Sequence, residues 1–118
     1  MENISAADQL ESIQSMQSTI KKLESALSQM TQSGTNTTLV QKRLNAMNIG
    51  LAVLEGIWKH TPQQYTREDA AEARKVISGL LPSVEHSFAK AKEGGPQKTL
   101  LARRITALKL VIQAIDSL

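Results

Sequence analysis

Thr38 to Ile57 reads TLVQKRLNAMNIGLAVLEGI, and Thr99 to Leu118 reads TLLARRITALKLVIQAIDSL. The two stretches lie 61 positions apart and align without a gap. Thr38/Thr99, Leu39/Leu100, Arg43/Arg104 and Ala46/Ala107 are identical. Lys42/Arg103, Leu44/Ile105, Met47/Leu108, Ile49/Leu110, Leu54/Ile115 and Glu55/Asp116 exchange like for like. Within the first copy, Val40, Leu44, Met47, Leu51, Leu54 and Trp58 recur at alternating spacings of four and three. That is the apolar seam of a packed α-helix. Leu101, Ile105, Leu108, Ile112 and Ile115 repeat it in the second copy.

The rest of the chain extends the pattern. A first helix is expected from about Ser5 to Met30, opened by the Ser5–Asp8 capping pair, with Ile13, Met16, Ile20, Leu23, Leu27 and Met30 as its seam. The run TQSGTNT then makes a loop. Thr38 with Gln41 reads as a second capping box, and His60-Thr61-Pro62 ends the second helix. Thr66 with Asp69 opens a third helix reaching about Lys92, with Pro82 inside it and a kink expected near Ser78 to Leu81. Gly94-Gly95-Pro96 stops that helix and starts the fourth. At the same offset of 61, Asp8/Asp69, Glu11/Glu72, Glu24/Glu85 and Gly34/Gly95 are also identical. The expected fold is therefore all-α: one domain over residues 1–118, an up-down-up-down four-helix bundle formed by tandem duplication of a helical hairpin, with repeats near 5–60 and 66–118.

Composition narrows the function classes. With no cysteine, disulfide scaffolds, cysteine-based zinc sites and thiol catalysis are excluded. The polar, acidic start MENISAADQLESIQ does not read as a signal peptide. No apolar run approaches the roughly 18 residues of a membrane span, so no membrane association is expected. The expected setting is the cytoplasm, bacterial in style. A net charge of +3 permits an acidic partner without demanding nucleic acid. Trp58, Tyr65 and Phe88 are the only aromatic residues, too few for base-stacking platforms, and nucleic acid is the less favoured partner.

Two features exceed what a minimal bundle needs. Beside each seam runs a second apolar stripe: Leu39, Ala46, Ile49, Val53 and Ile57 on helix 2, and Leu100, Ala107, Leu110, Ala114 and Leu118 on helix 4. Such width has two readings. Either helices 2 and 4 pack centrally, flanked on two sides, or Leu39, Ile49, Val53, Ile57, Leu100, Leu110 and Leu118 form a surface for a protein partner or a second copy of the chain. The second feature is charge. Lys42, Arg43, Lys98, Arg103 and Arg104 gather at the expected hairpin-loop end, while Glu2, Asp8, Glu11, Glu55, Glu68, Asp69, Glu72 and Asp116 lie toward the other. Lys42-Arg43 and Arg103-Arg104 stand in first turns, where they oppose the helix dipole at up to about 1 kcal/mol each. Rules broken twice at equivalent positions point to a basic partner- or anion-binding site, or to internal pairing.

Signs of catalysis are few. His60 and His86 have no metal-ligand companions at useful spacing, and no catalytic residue, metal or cofactor is expected. Gly94-Gly95-Pro96-Gln97-Lys98-Thr99 lacks the glycine before lysine and the preceding strand of a phosphate-binding loop. Histidine phosphotransfer domains are four-helix bundles of similar length, and the chain resembles them in size and helical class. Their exposed histidine is followed three positions on by lysine and then glycine; here His86 is followed by Ala89 and Lys90. The expected function is a non-enzymatic protein–protein interaction module, an adaptor, chaperone or regulator, whose partner is another protein or a second copy of the chain in a homodimer. Anion or nucleic-acid binding at the basic end, and phosphotransfer through His86, are the alternatives.

Overall fold

A computed structural model describes residues 3–118; Glu2, counted above among the acidic residues, lies outside them. Four α-helices follow in order: α1 (Ala6–Ser33), α2 (Thr38–Trp58), α3 (Arg67–Lys90) and α4 (Pro96–Asp116), and no strand occurs among the described residues. Local chemistry sets the boundaries. Ser5 Oγ accepts the Asp8 N–H at 3.1 Å and opens α1. Thr66 Oγ1 accepts the Asp69 N–H at 3.0 Å, while the Asp69 carboxylate accepts the Thr66 N–H at 3.3 Å, a complete capping box for α3. Gly34, at φ 74°, takes the left-handed turn that closes α1, with the Thr35 N–H donating back to Met30 at 2.9 Å. His60 takes the same left-handed role after α2 at φ 55°, and the Thr61 N–H reaches the Gly56 carbonyl at 2.9 Å.

The start of α2 differs from expectation. Thr37, not Thr38, occupies the cap, and its hydroxyl makes no bond to the helix backbone. Instead Asn36 Oδ1 accepts the Thr38 N–H, and Gln41 Nε2 donates to Thr37 Oγ1, both at 2.9 Å. An Asx turn thus satisfies the first N–H of the helix, and the Gln41 N–H that a Thr38 cap would have taken goes to the Thr37 carbonyl at 2.9 Å. α3 runs as one helix through Pro82.

The helices pack as a bundle with a distinctive order of contact. α2 and α4 each pack against all three other helices, whereas α1 and α3 touch only α2 and α4 and never each other. α2 and α4 thus form the centre, with α1 and α3 on their flanks. The molecule is a slab of 42 × 38 × 20 Å, its thin dimension about two helix diameters.

This arrangement explains the wide apolar arcs. Ala46, Ile49 and Val53 of α2, and Ala107, Leu110 and Ala114 of α4, are all buried alongside Met47, Leu54, Leu108, Val111 and Ile115. A helix gripped from three sides must be apolar over most of its circumference. Flanking helices bury less: α1 fully encloses only Ser12 and Met16, and α3 only Ala70, Ala73 and Ile77.

Buried positions recur at the sequence offset. Ser12/Ala73, Met16/Ile77, Ala46/Ala107, Met47/Leu108, Ile49/Leu110, Gly50/Val111, Val53/Ala114 and Leu54/Ile115 are each buried in both members, 61 residues apart. At the centre, a Cβ built on Gly50 would lie 2.8 Å from Val111 Cγ1 and 2.9 Å from Ile77 Cδ1, with Met16 Cε at 3.6 Å. The glycine is there because the valine of the equivalent position fills its space.

Candidate functional site

Seven apolar residues were candidates for a binding stripe, and the fold separates them. Ile49 and Val53 sit inside the core at 4 % and 1 % exposure, and Leu110 at 8 %. They hold α2 and α4 to their neighbours, so the folded chain does not offer them to a partner. Ile57 is half-buried against that core. Leu39, Leu100 and Leu118 are exposed, the first two by more than half.

Leu39 and Leu100 each head a short ridge. On α2 the ridge continues through Lys42 and Arg43 and lines a groove whose opposite wall is α3, including Glu72, Lys75, Val76 and Leu80. On α4 it continues through Arg103 and Arg104 and lines a groove against α1, including Glu11, Gln14, Ser15, Ser18 and Lys22. Seven positions of each groove match at the 61-residue offset: Leu39/Leu100, Lys42/Arg103, Arg43/Arg104, Glu72/Glu11, Lys75/Gln14, Val76/Ser15 and Gly79/Ser18; Leu80 and Lys22 have no counterpart in the other groove.

Electrostatics repeat as well. Lys42 Nζ lies 3.7 Å from Glu72 Oε1, and Arg103 Nη2 lies 3.5 Å from Glu11 Oε1. Each pair joins the N-terminal half of a central helix to a flanking helix, α2 to α3 and α4 to α1. All four side chains are about half exposed or more, so each contact contributes little, roughly 0–1 kcal/mol. These pairs also revise the end-to-end charge separation expected from sequence. Glu11 and Glu72 reach the basic residues because the flanking helices run alongside the N-terminal halves of α2 and α4.

Arg43 and Arg104 remain. Neither pairs with a carboxylate among the described residues. Arg104 Nε is buried with no hydrogen-bond partner, a polar atom left unsatisfied beside the groove. Lys98 is engaged differently. Its ammonium is 2.8 Å from Glu93 and 4.4 Å from the centre of the Phe88 ring, with 18 % of the side chain exposed. It pins the α3–α4 connection and is not presented to a partner as the other basic residues are.

No pair of groups suited to acid–base work converges in either groove. The resolved pKa shifts lie elsewhere, at Arg74 and Asp116. Arg74 Nε and Nη2 donate to the two oxygens of Asp116 at 2.6 and 3.1 Å, tying α3 to the end of α4. That hydrogen bond and the adjacent positive charge lower the Asp116 carboxyl below its ordinary value, and the carboxylate raises Arg74. His86 is exposed on α3. Among the described residues, no group of His, Asp and Glu is arranged to hold a metal ion, and no helix is long and apolar enough to cross a membrane.

The sequence pointed to Leu39, Lys42, Arg43, Leu100, Arg103 and Arg104, but not to Glu11 and Glu72 as their companions. The signal was present in the repeat, since Glu11/Glu72 are identical at the offset that relates Lys42 to Arg103. Across known proteins, the chain matches no family model, no curated relative and no solved structure.

Proposed function

We propose that the chain is a non-enzymatic protein-interaction module, an up-down-up-down four-helix bundle built by duplication of a helical hairpin, which displays one working surface twice. The observation that carries this reading is the equivalence of the two ridges. Leu39-x-x-Lys42-Arg43 and Leu100-x-x-Arg103-Arg104 keep an exposed leucine and two cations at matching places. Neither exposed leucine is needed for the core, and each would gain from being covered. Arginine is among the residues enriched at energetically important interface positions. Duplication is supported by the recurrent burial, by the Ser5 and Thr66 caps 61 residues apart, and by the cross-helix pairs Lys42–Glu72 and Arg103–Glu11.

The test compares wild-type protein with a Leu39→Ala/Leu100→Ala variant in cross-linking capture from the native cell, at low and moderate salt. The variant is expected to keep its helical signal and to lose the specifically captured protein. Equal capture by both would overturn the assignment of the ridges. Sedimentation of the purified chain gives the second arm: dimerisation lost in the same variant would make a second copy the occupant.

A further inference from the structure

We infer that each ridge receives an acidic, leucine-bearing segment of a partner protein, so that one chain holds two such segments. This rests on the interaction reading above and names the chemistry of the partner. Charge complementarity is the first argument. The groove beside Leu39 collects Lys42, Arg43 and Lys75 around a single carboxylate, Glu72. The groove beside Leu100 collects Arg103, Arg104 and Lys22 around a single carboxylate, Glu11. Each groove therefore carries an excess of two positive charges, and Arg43 and Arg104 have no carboxylate among the described residues to neutralise them.

The second argument concerns the two glutamates. Each is held loosely, at 3.7 and 3.5 Å, by one cation of its groove. An incoming glutamate or aspartate would exchange like for like at that cation, releasing Glu72 or Glu11 to solvent. The resident carboxylates thus act as placeholders that mark the chemistry of the ligand and compete weakly with it. Polyphosphate backbones fit less well, because the exposed leucine finds nothing apolar in them to cover it. A peptide with leucine and glutamate on one helical face satisfies both features.

The grooves differ in one respect. Val76 and Leu80 line the wall opposite Leu39, whereas Ser15 and Ser18 line the wall opposite Leu100. The added apolar surface makes the Leu39 groove the tighter of the two, by roughly tenfold for burial of about one small side chain.

The experiment titrates the isotope-labelled full chain with a synthetic amphipathic peptide bearing leucines and glutamates at helical spacing. A peptide with every glutamate changed to glutamine, and a duplex DNA oligonucleotide, serve as comparators. The acidic peptide is expected to shift resonances at both ridges, the Leu39 ridge first, saturating at two peptides per chain. Arg43→Ala should weaken only the first event and Arg104→Ala only the second, each by about fivefold or more. Glu72→Gln and Glu11→Gln should tighten them by about two- to fivefold. Equal binding of the glutamine peptide at the same ridges would overturn the acidic occupant and leave the interaction reading standing. A stronger response to DNA would overturn it in favour of nucleic acid. If no probe shifts the ridges, the acidic occupant is rejected, and the capture experiment then decides the interaction reading separately.

Discussion

Replacing Gly50 by alanine tests the packing at the centre of the fold. Two effects oppose each other. Alanine is favoured over glycine inside a helix by about 1 kcal/mol, because glycine loses more backbone freedom on folding. Against this, the new Cβ would sit 2.8 Å from Val111 Cγ1 and 2.9 Å from Ile77 Cδ1, well inside the roughly 3.5–4.0 Å of ordinary carbon contact. Ile77 can turn its terminal methyl aside. Val111 cannot yield so easily, since a β-branched side chain in a helix has essentially one rotamer. Overpacking of this kind costs about 1–3 kcal/mol, so Gly50→Ala should destabilise by about 1 kcal/mol net, near 4 °C in melting temperature. Val111→Ala alone removes two methyls from a fully buried site and should cost about 2 kcal/mol. In that background the alanine at position 50 no longer meets Cγ1, regains its helical advantage and fills part of the void. The double variant should therefore be more stable than the sum of the singles by about 1–2 kcal/mol. Urea unfolding followed by circular dichroism measures all four corners of the cycle. Additivity to within about 0.5 kcal/mol, or a wild-type background in which Gly50→Ala is stabilising, would refute the close approach of α2 and α4.

Three further outcomes are expected. Leu39→Ala and Leu100→Ala, at exposed positions, should each change stability by no more than about 0.5 kcal/mol, whereas Val53→Glu and Leu110→Glu should each cost more than about 4 kcal/mol and unfold the chain by the same assay. Asp116→Asn should lower stability at neutral pH; because the folded Asp116 carboxyl titrates below its ordinary value of 3.8, the wild-type advantage should persist down to about that pH and vanish as pH falls through the lower folded value. His86→Gln should leave ridge binding unchanged, and neutral-pH mass spectrometry of the wild-type chain after incubation with a small phosphodonor should find no acid-labile phosphate at His86; its appearance there would revive phosphotransfer.

Much of the fold was legible because it is encoded locally. Ser5 with Asp8 and Thr66 with Asp69 name two helix starts, since each answers a need of nearby backbone groups, whereas α1 continues past its expected end at Met30 to Ser33, where Gly34 turns the chain. Order of contact was not encoded locally. Whether Ile49, Val53 and Leu110 were core or surface depended on how many helices surround α2 and α4, and a helical wheel gives the width of an apolar face without saying who covers it. The same ambiguity misled in the opposite direction on α1. Ile20, Leu23 and Leu27 read as seam residues but stay half-buried, because α1 meets α2 and α4 and no third helix. Ser12 passed unnoticed as a polar residue, although its equivalent, Ala73, holds the same buried place on α3.

The paired cations illustrate how a broken local rule divides once the packing is known. Lys42-Arg43 are the fifth and sixth residues of α2, and Arg103-Arg104, expected in a first turn, are the eighth and ninth of α4, beyond the reach of its dipole. For Lys42 and Arg103 the fold supplies a reason, a carboxylate from the adjacent helix at 3.7 and 3.5 Å. Among the described residues nothing of the kind serves Arg43 or Arg104, and burial of the Arg104 Nε without an acceptor is unfavourable at that site. Structural need therefore accounts for one cation of each pair and leaves the other. The unaccounted residue is arginine at both positions, the side chain whose planar fork binds carboxylates in a two-point geometry that lysine lacks. It stands beside an exposed leucine at both positions too. An unpartnered arginine and an uncovered leucine, repeated at the 61-residue offset, are the residues for which the folded chain alone supplies no role, and a partner's acidic segment supplies one for both.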